Sequence, residues 1–467
     1  MKKSINMRYV LFLASTAALG GLLFGFDIAI ITGAGPFIAR QFGLSDLGMG
    51  WAYSSLLFGC VVGSLAAGKL ADRFGRRRLL IQIALLFSVS SVAVACSNSI
   101  ACFIAARFLG GIAVGGVSLL SPLYVAEIAP PSVRGRLGAL YQMSIIIGIV
   151  VSYTINYLLL DSGAANWRWM FLTGIAPSIV FLLAIILAPE TPRFLVLEGR
   201  LEEAFRVLER ISGVDDASSE IADIRAAIEA SDVRPEDGEK NPWDIMFQPG
   251  LRRALIISAC LAVLVQLSGV NIILDYAPAI FESAGWHRDG AFASTVIIGV
   301  TEFVFTLLSL WMIDKYGRKP LYIVGSIGMA FSLASLVAAV LLGSFHGVLA
   351  LVLILLYLAS FASCIGPVFW TLVPELFPNH LRGTAMTIPV LIQWLANAAV
   401  VLVFPLVFHA AGKAFTFSFL ALMALAQAVF AWLCVPETKN KSLEEIEALL
   451  ARAKTMELAG APCPEKP

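Results

Sequence analysis

Apolar residues in this chain come in long unbroken runs, without the strict alternation of a half-buried strand or the one-sided stripe of a soluble helix. Runs of helical length occupy residues 9–35, 49–71, 79–97, 100–127, 137–160 and 168–188, then 252–284, 291–313, 320–343, 347–375, 384–409 and 413–435. A helix needs about 20 apolar residues to cross the hydrocarbon of a bilayer. The pattern therefore predicts an all-α integral membrane protein of about twelve transmembrane helices, six before a polar insert and six after it. The predicted domains are an N-terminal six-helix bundle (1–192), a cytoplasmic helical linker (193–251), a C-terminal six-helix bundle (252–436) and a cytoplasmic tail (437–467). Within the insert, 201–211 and 221–230 have helical periodicity with charged faces, while 231–242 is polar, holds two prolines and reads as a linker. Two roles stay open for the insert: a solvated linker, or a helical bundle that latches the two halves. Residues 443–453 predict one more amphipathic helix in the tail.

Lys2, Lys3 and Arg8 precede the first run, and no small-residue cleavage site leads from it into a soluble domain, so it is read as the first span. Lys and Arg crowd into alternate loops: Arg73–Arg78, Arg134–Arg136, Arg193–Arg253, Lys315–Lys319, Arg382 and Lys439–Lys441. The other loops hold little beyond Arg40, Arg288 and Lys413. The positive-inside rule then places both termini and the insert in the cytoplasm, with the chain in the inner, cytoplasmic membrane.

Composition sharpens the class. Apolar residues make up 59% of the chain and charged ones 14%, whereas a soluble domain carries about a quarter charged. A net charge of +1 gives no nucleic-acid footprint. The seven cysteines show no CxxC pair and are expected as buried thiols. His287, His346, His380 and His409 are scattered at span ends without metal-ligand spacing. No metal, no cofactor and no catalytic residue is expected, and the absence of a phosphate loop disfavours an ATP-driven pump.

Three motifs recur in the same order in both halves. PLYVAEIAPPSVRG (122–135) and LVPELFPNHLRG (372–383) share the spacing of Glu127, Pro130, Arg134 and Gly135 with Glu375, Pro378, Arg382 and Gly383. DRFGRRR (72–78) is matched by DKYGRKP (314–320), and PET (189–191) by PET (436–438). Such duplication implies two structural repeats with a substrate site between them.

Together with GGLLFGFD (20–27), RFLGGIAVGG (107–116), PETPRFL (189–195), QLSGVN (266–271), GPVFW (366–370), QWLAN (393–397) and PETKNKSLEEIE (436–447), these motifs resemble the sugar porter family of the major facilitator superfamily across nearly the whole chain. The resemblance implies two pseudo-symmetric six-helix bundles that rock to give alternating access. It also implies a monomer in the lipid bilayer that imports a small-molecule sugar, a xylose-like pentose or hexose, with protons. An uncoupled facilitator, a transporter of a polyol such as inositol, and a non-transporting sensor of the same fold are the alternatives.

A neutral, hydroxyl-rich solute needs groups that donate and accept, with an aromatic wall for its C–H face. Gln142, Gln266, Asn271, Gln393 and Asn397 supply amides within apolar spans, with Trp370 and Trp394 as aromatic walls. The bland alternative for each amide is interhelical glue. The resemblance adds Phe24, Tyr276 and Gly366 to the substrate-binding set.

Asp27 and Arg107 are ionisable residues inside apolar spans, a functional pattern by default. The resemblance makes Asp27 the proton-coupling carboxyl with Arg107 as its partner; a static ion pair is the alternative. The sequence departs from the family at four positions. Val265 stands before Gln266 where two glutamines are usual, Gly174 replaces an acid, Asp275 takes the place of the first of two tyrosines, and Glu302 that of an asparagine. Asp275 and Glu302 are read either as acids that are neutral and hydrogen-bonded or sit in a watery vestibule, or as an added proton or cation site or a means of recognising a different polyol. Finally, the resemblance implies a cytoplasmic gate of Asp72, Arg73, Glu127, Arg134, Glu190 and Arg193, with Asp314, Arg318, Glu375, Arg382 and Glu437 as its second half.

Overall fold

Helices start and stop where polar residues and glycines interrupt the apolar runs. The computed structural model describes residues 6–130, 133–232, 249–377 and 382–439. Ser45 Oγ accepts the Gly48 N–H to cap α2 (Asp46–Phe74), and Ser99 Oγ accepts the Cys102 N–H to cap α4 (Ile100–Ile128). α1 (Met7–Phe42) ends at Gly43, a residue in the left-handed region. α3 (Arg76–Ala95), α5 (Arg134–Leu158), and the pair α6 (Asn166–Leu172) and α7 (Ile175–Leu187) complete the first six spans.

The insert forms α8 (Pro192–Leu197), α9 (Leu201–Ser212) and α10 (Val214–Asp232). Ala204, Val207, Leu208 and Ile211 on α9 are buried at helical spacing, and the Ile211 carbonyl accepts the Asn6 N–H at 2.9 Å. Both helices predicted in the insert are present, and α10 begins seven residues earlier than its periodicity suggested. Residues 233–248, which hold most of the predicted linker, and 440–467, which hold the predicted tail helix, lie outside the described residues.

The second half follows as α11 (Pro249–Leu267), α12 (Val270–Asp275), α13 (Ala277–Ser283), α14 (Arg288–Tyr316), α15 (Arg318–Leu341), α16 (Gly347–Cys364), α17 (Gly366–Glu375) and α18 (Arg382–Cys434). Among the described residues, eleven helices are long and apolar enough to cross a membrane, against the expected twelve. The difference is α18, a run of 53 residues with Gly412 in a non-helical conformation (φ 79°, ψ 171°). At 1.5 Å per residue such a run would reach ~80 Å, far beyond one hydrocarbon thickness. It therefore holds two spans that meet at Gly412, where 384–409 and 413–435 were separated by sequence. Long side chains such as Leu158, Leu187, Leu341 and Leu342 face outward, as lipid contact requires.

Among the described residues, three spans are broken. The sixth breaks at Thr173–Gly174 and the tenth at Ile365, before the helix-weakening Gly366–Pro367. The seventh, expected as one run over 252–284, breaks twice, at Gly269 (φ +92°) and at Tyr276.

The chain divides into two units. One comprises Met1–Glu236 with Leu274–Ala279 and His287–Gly299; the other comprises Asp237–Ile273, Ile280–Trp286 and Val300–Pro467. In the first, α1 packs on α5 and α2 on α4. Both contacts use glycine for backbone approach: a side chain at Gly25 would strike the Ile145 carbonyl, and one at Gly111 the Leu56 carbonyl. In the second, α18 packs on α11 and α15, and α15 on α16. The expectation of buried thiols holds for Cys60 and Cys364 only. Cys96 and Cys102 are exposed and Cys260 and Cys434 half-buried, because the outward faces of spans count as surface here; Cys463 lies outside the described residues.

Candidate functional site

Asp27 on α1 and Arg107 on α4 are a buried pair of opposite charges in the first unit. Arg107 Nη1 donates to Asp27 Oδ1 at 2.6 Å, and both terminal nitrogens also approach the Asp27 carbonyl at 3.3 Å. Arg107 is 1% exposed and lies over the Phe171 ring at 5.2 Å. Gly110, one turn along α4, leaves the space: a Cβ there would stand 3.3 Å from Asp27 Oδ2 and 2.6 Å from Ser90 Oγ. Arg107 Nε finds no hydrogen-bond acceptor. The guanidinium thus depends on one residue for its charge and its acceptors, and losing either partner strands the other in a dry site.

The predicted amides fall on both units. Gln142 is half-buried on α5. Gln266, at the end of α11, and Asn271, in α12, flank the break at Gly269, and Asn271 Nδ2 donates to Gln266 Oε1 at 2.7 Å. The break turns residues five apart into a hydrogen-bonded pair that keeps free donor and acceptor capacity. On α18, Gln393 and Asn397 are four residues apart and share a face, with Trp394 half-buried between them. Asn397 is buried and its Oδ1 has no hydrogen-bond donor. Trp370 follows Gly366 by one turn on α17, is 44% exposed and meets Phe369 edge-on. Phe24 lies half-buried one turn before Asp27.

Tyr276 is buried with its ring stacked on Tyr53 of α2 at 4.4 Å and 12°. Its predecessor Asp275 is buried too. Glu302, on α14, is buried with Oε2 unpartnered. Among the described residues neither acid forms an ion pair. Sequence reading missed Tyr53 and Asn156. Asn156 is buried on α5 and donates to the carbonyls of Ala29 and Ile30, and its polarity inside an apolar run was the available signal.

The repeated motifs build two matching clusters. In the first, Arg76 pairs with Asp72 at 2.9 Å and Glu127 at 3.2 Å, while Glu190 accepts the backbone N–H groups of Arg76 and Arg77 at 3.0–3.1 Å. In the second, Arg318 pairs with Glu375 at 2.9 Å, and Glu437 accepts the N–H groups of Arg318 and Lys319 at 3.2 and 3.1 Å. Thr438 Oγ1 adds a hydrogen bond to Glu375 at 2.5 Å. Arg73, expected in the first cluster, is exposed over its neighbour Phe74, and Arg76 takes its place. The reason is register: Arg76 follows Gly75 (φ 89°) as Arg318 follows Gly317 (φ 89°), so the turn aims Arg76 inward. Arg193 is exposed. The side chains of Arg134, Asp314 and Arg382 lie outside the described residues.

Comparison with known proteins gives the family. The family model for sugar (and other) transporters matches residues 13–450. The chain is 38% identical over 453 residues to the arabinose-proton symporter of Bacillus subtilis, with 96% of each chain covered. It is 36% identical over 492 residues to the D-xylose-proton symporter of Escherichia coli, covering 96% of this chain and 97% of the relative. The partially occluded inward open structure of the xylose transporter XylE from E. coli matches with a TM-score of 0.82 and 33% identity, over 93% of this chain and all of that one. With its two six-span halves and duplicated helix exits, the chain belongs to the sugar transporter family and has the major facilitator fold.

Proposed function

We propose that the protein is a proton-coupled monosaccharide importer that works by alternating access, with arabinose and xylose, named for its relatives, as the first sugars to test. The observation that carries this is the buried Asp27–Arg107 pair. Binding of a proton at the Asp27 carboxylate cancels its charge and removes the main acceptor of Arg107. The α1–α4 contact is then held differently with and without the proton, which gives protonation a means to bias conformation. Gln142, Gln266, Asn271, Gln393 and Asn397 would offer the sugar its hydrogen bonds, with Phe24, Trp370, Trp394 and Tyr276 as apolar walls and Gly366 giving backbone access.

The arginine–carboxylate clusters serve as cytoplasmic gates: each closes three helices of its half with charges that water can unmake. Both termini are cytoplasmic, in the inner membrane, and the working unit is a monomer. Uptake of labelled arabinose and xylose into proteoliposomes tests the reading. Accumulation driven by an inward proton gradient, abolished by protonophore and by Asp27→Asn while sugar exchange persists, is the expected result. Equilibration without accumulation points to a facilitator, and uphill uptake by Asp27→Asn removes Asp27 from the mechanism. The acids Asp275 and Glu302 favour one second reading, a polyol such as inositol, which the same assay tests by competition.

A further inference from the structure

Residues 19–29, LGGLLFGFDIA, and 267–277, LSGVNIILDYA, align at an offset of 248, the offset that separates Glu127 from Glu375. Leu, Gly, Asp and Ala coincide, and Asp275 falls on Asp27. The same offset carries Arg107 to Leu355. Asp275 is therefore the repeat mate of Asp27 with its cation removed.

The surroundings hold this acid in place. Leu274–Ala279 belong to the first unit. The Leu274 carbonyl accepts the hydroxyls of Thr32 (3.3 Å) and Tyr153 (3.2 Å), and the Tyr276 ring is stacked on Tyr53. Asp275 lies between these two anchors, 6% exposed, at the end of α12 where the helix breaks. No hydrogen bond or ion pair reaches its carboxylate among the described residues. Tyr53 on α2, Tyr153 on α5 and the adjacent Tyr276 are the ionisable side chains that the described contacts place around it. Among the described residues, the cation that acts on it, Arg107 on α4, is committed to Asp27. A buried, unpartnered carboxylate is tolerated only when its charge is cancelled. Broken helices whose half-helix ends and freed carbonyls meet an acid are where transporters of this architecture class hold coupling ions.

We propose that Asp275 is a second cation site, whose carboxylate takes up one monovalent cation, a proton or a sodium ion, while residues 274–279 are anchored by Thr32, Tyr53 and Tyr153. The site stands without the sugar reading. Only its consequence, a second coupled charge per transport cycle, rests on that reading.

The test uses the purified full-length protein without sugar. Infrared difference spectra across a pH titration report protonated carboxyl C=O bands, and thermal unfolding is followed with sodium or choline chloride at equal ionic strength. Asp275→Asn, Glu302→Gln and Asp27→Asn are compared with the parent. A protonated-acid band lost only in Asp275→Asn assigns a proton. A sodium-specific rise in Tm lost only in Asp275→Asn assigns sodium. If no acid band and no sodium effect depends on Asp275, or if both vanish only in Glu302→Gln, the proposal is overturned. Should Asp275→Asn not fold, Asp275→Glu decides the same question, since the added methylene shifts the band or weakens the sodium effect only if residue 275 owns it. Absence of sugar transport leaves these readouts intact, so failure of the transporter reading is seen separately.

Discussion

The two halves agree at their helix exits and differ at membrane depth. Arg76, Glu127 and Glu190 in one half and Arg318, Glu375 and Glu437 in the other make the same contacts, down to a carboxylate that accepts two successive backbone N–H groups after a glycine turn. Inside the apolar spans, Asp27 has Arg107, whereas Asp275, its repeat mate, has no ion pair among the described residues, and in sequence the mate of Arg107 is Leu355. A duplicated scaffold keeps the contacts that close each half. It varies the charges that act on the transported species.

The comparison breaks most sharply at Arg107. Arg107→Leu gives the first half the residue of the second and leaves Asp27 buried and alone, at a cost of ~3–5 kcal/mol. The double variant Arg107→Leu with Asp27→Asn should recover most of that loss. Thermal unfolding in detergent measures both, and an undiminished Tm in the single variant would mean that the pair contributes little to stability. Next come Glu190→Gln and Glu437→Gln, each weakening charge-assisted hydrogen bonds for ~1.5–3 kcal/mol. Equal losses sharpen the equivalence of the halves; a loss confined to one would limit it to sequence. The smallest effect distinguishes two neighbouring arginines. Arg73→Ala should change stability by no more than ~0.5 kcal/mol, whereas Arg76→Ala uncovers Glu127 and Asp72 and should cost several times as much. Similar values for the two would undo the assignment of Arg76 to the cluster.

Much of this was legible in the chain. The spans follow from apolar run length, and the duplication from motifs at nearly constant spacing. The eleventh and twelfth spans were separated correctly because Gly412 and Lys413 interrupt the run, and the backbone kinks at Gly412. What escaped was geometry that depends on backbone φ or on a distant partner. The choice of Arg76 over Arg73 is set by the positive φ of Gly75, which composition does not reveal. The repeat DRFGR against DKYGR did hold it, since Arg76 aligns with Arg318. The break at Gly269 was hidden inside a run of unbroken hydropathy, so the pairing of Gln266 with Asn271 and the anchoring of Tyr276 on Tyr53 could not be read before the structure. Most of the polar residues were found, Asn156 excepted; of their partners, only Arg107 for Asp27 was.

Glu190 and Glu437 also bear on how the protein is made. α3 and α15 begin at glycines that offer no side chain to their first N–H groups, and the acceptor for each comes from more than 100 residues further along the chain. Until the segment after the sixth span of each half has been made, the first N–H groups of the third have only water to accept them. A chain stopped short of Glu437 would hold the spans of the second half without the carboxylate that clasps the start of α15.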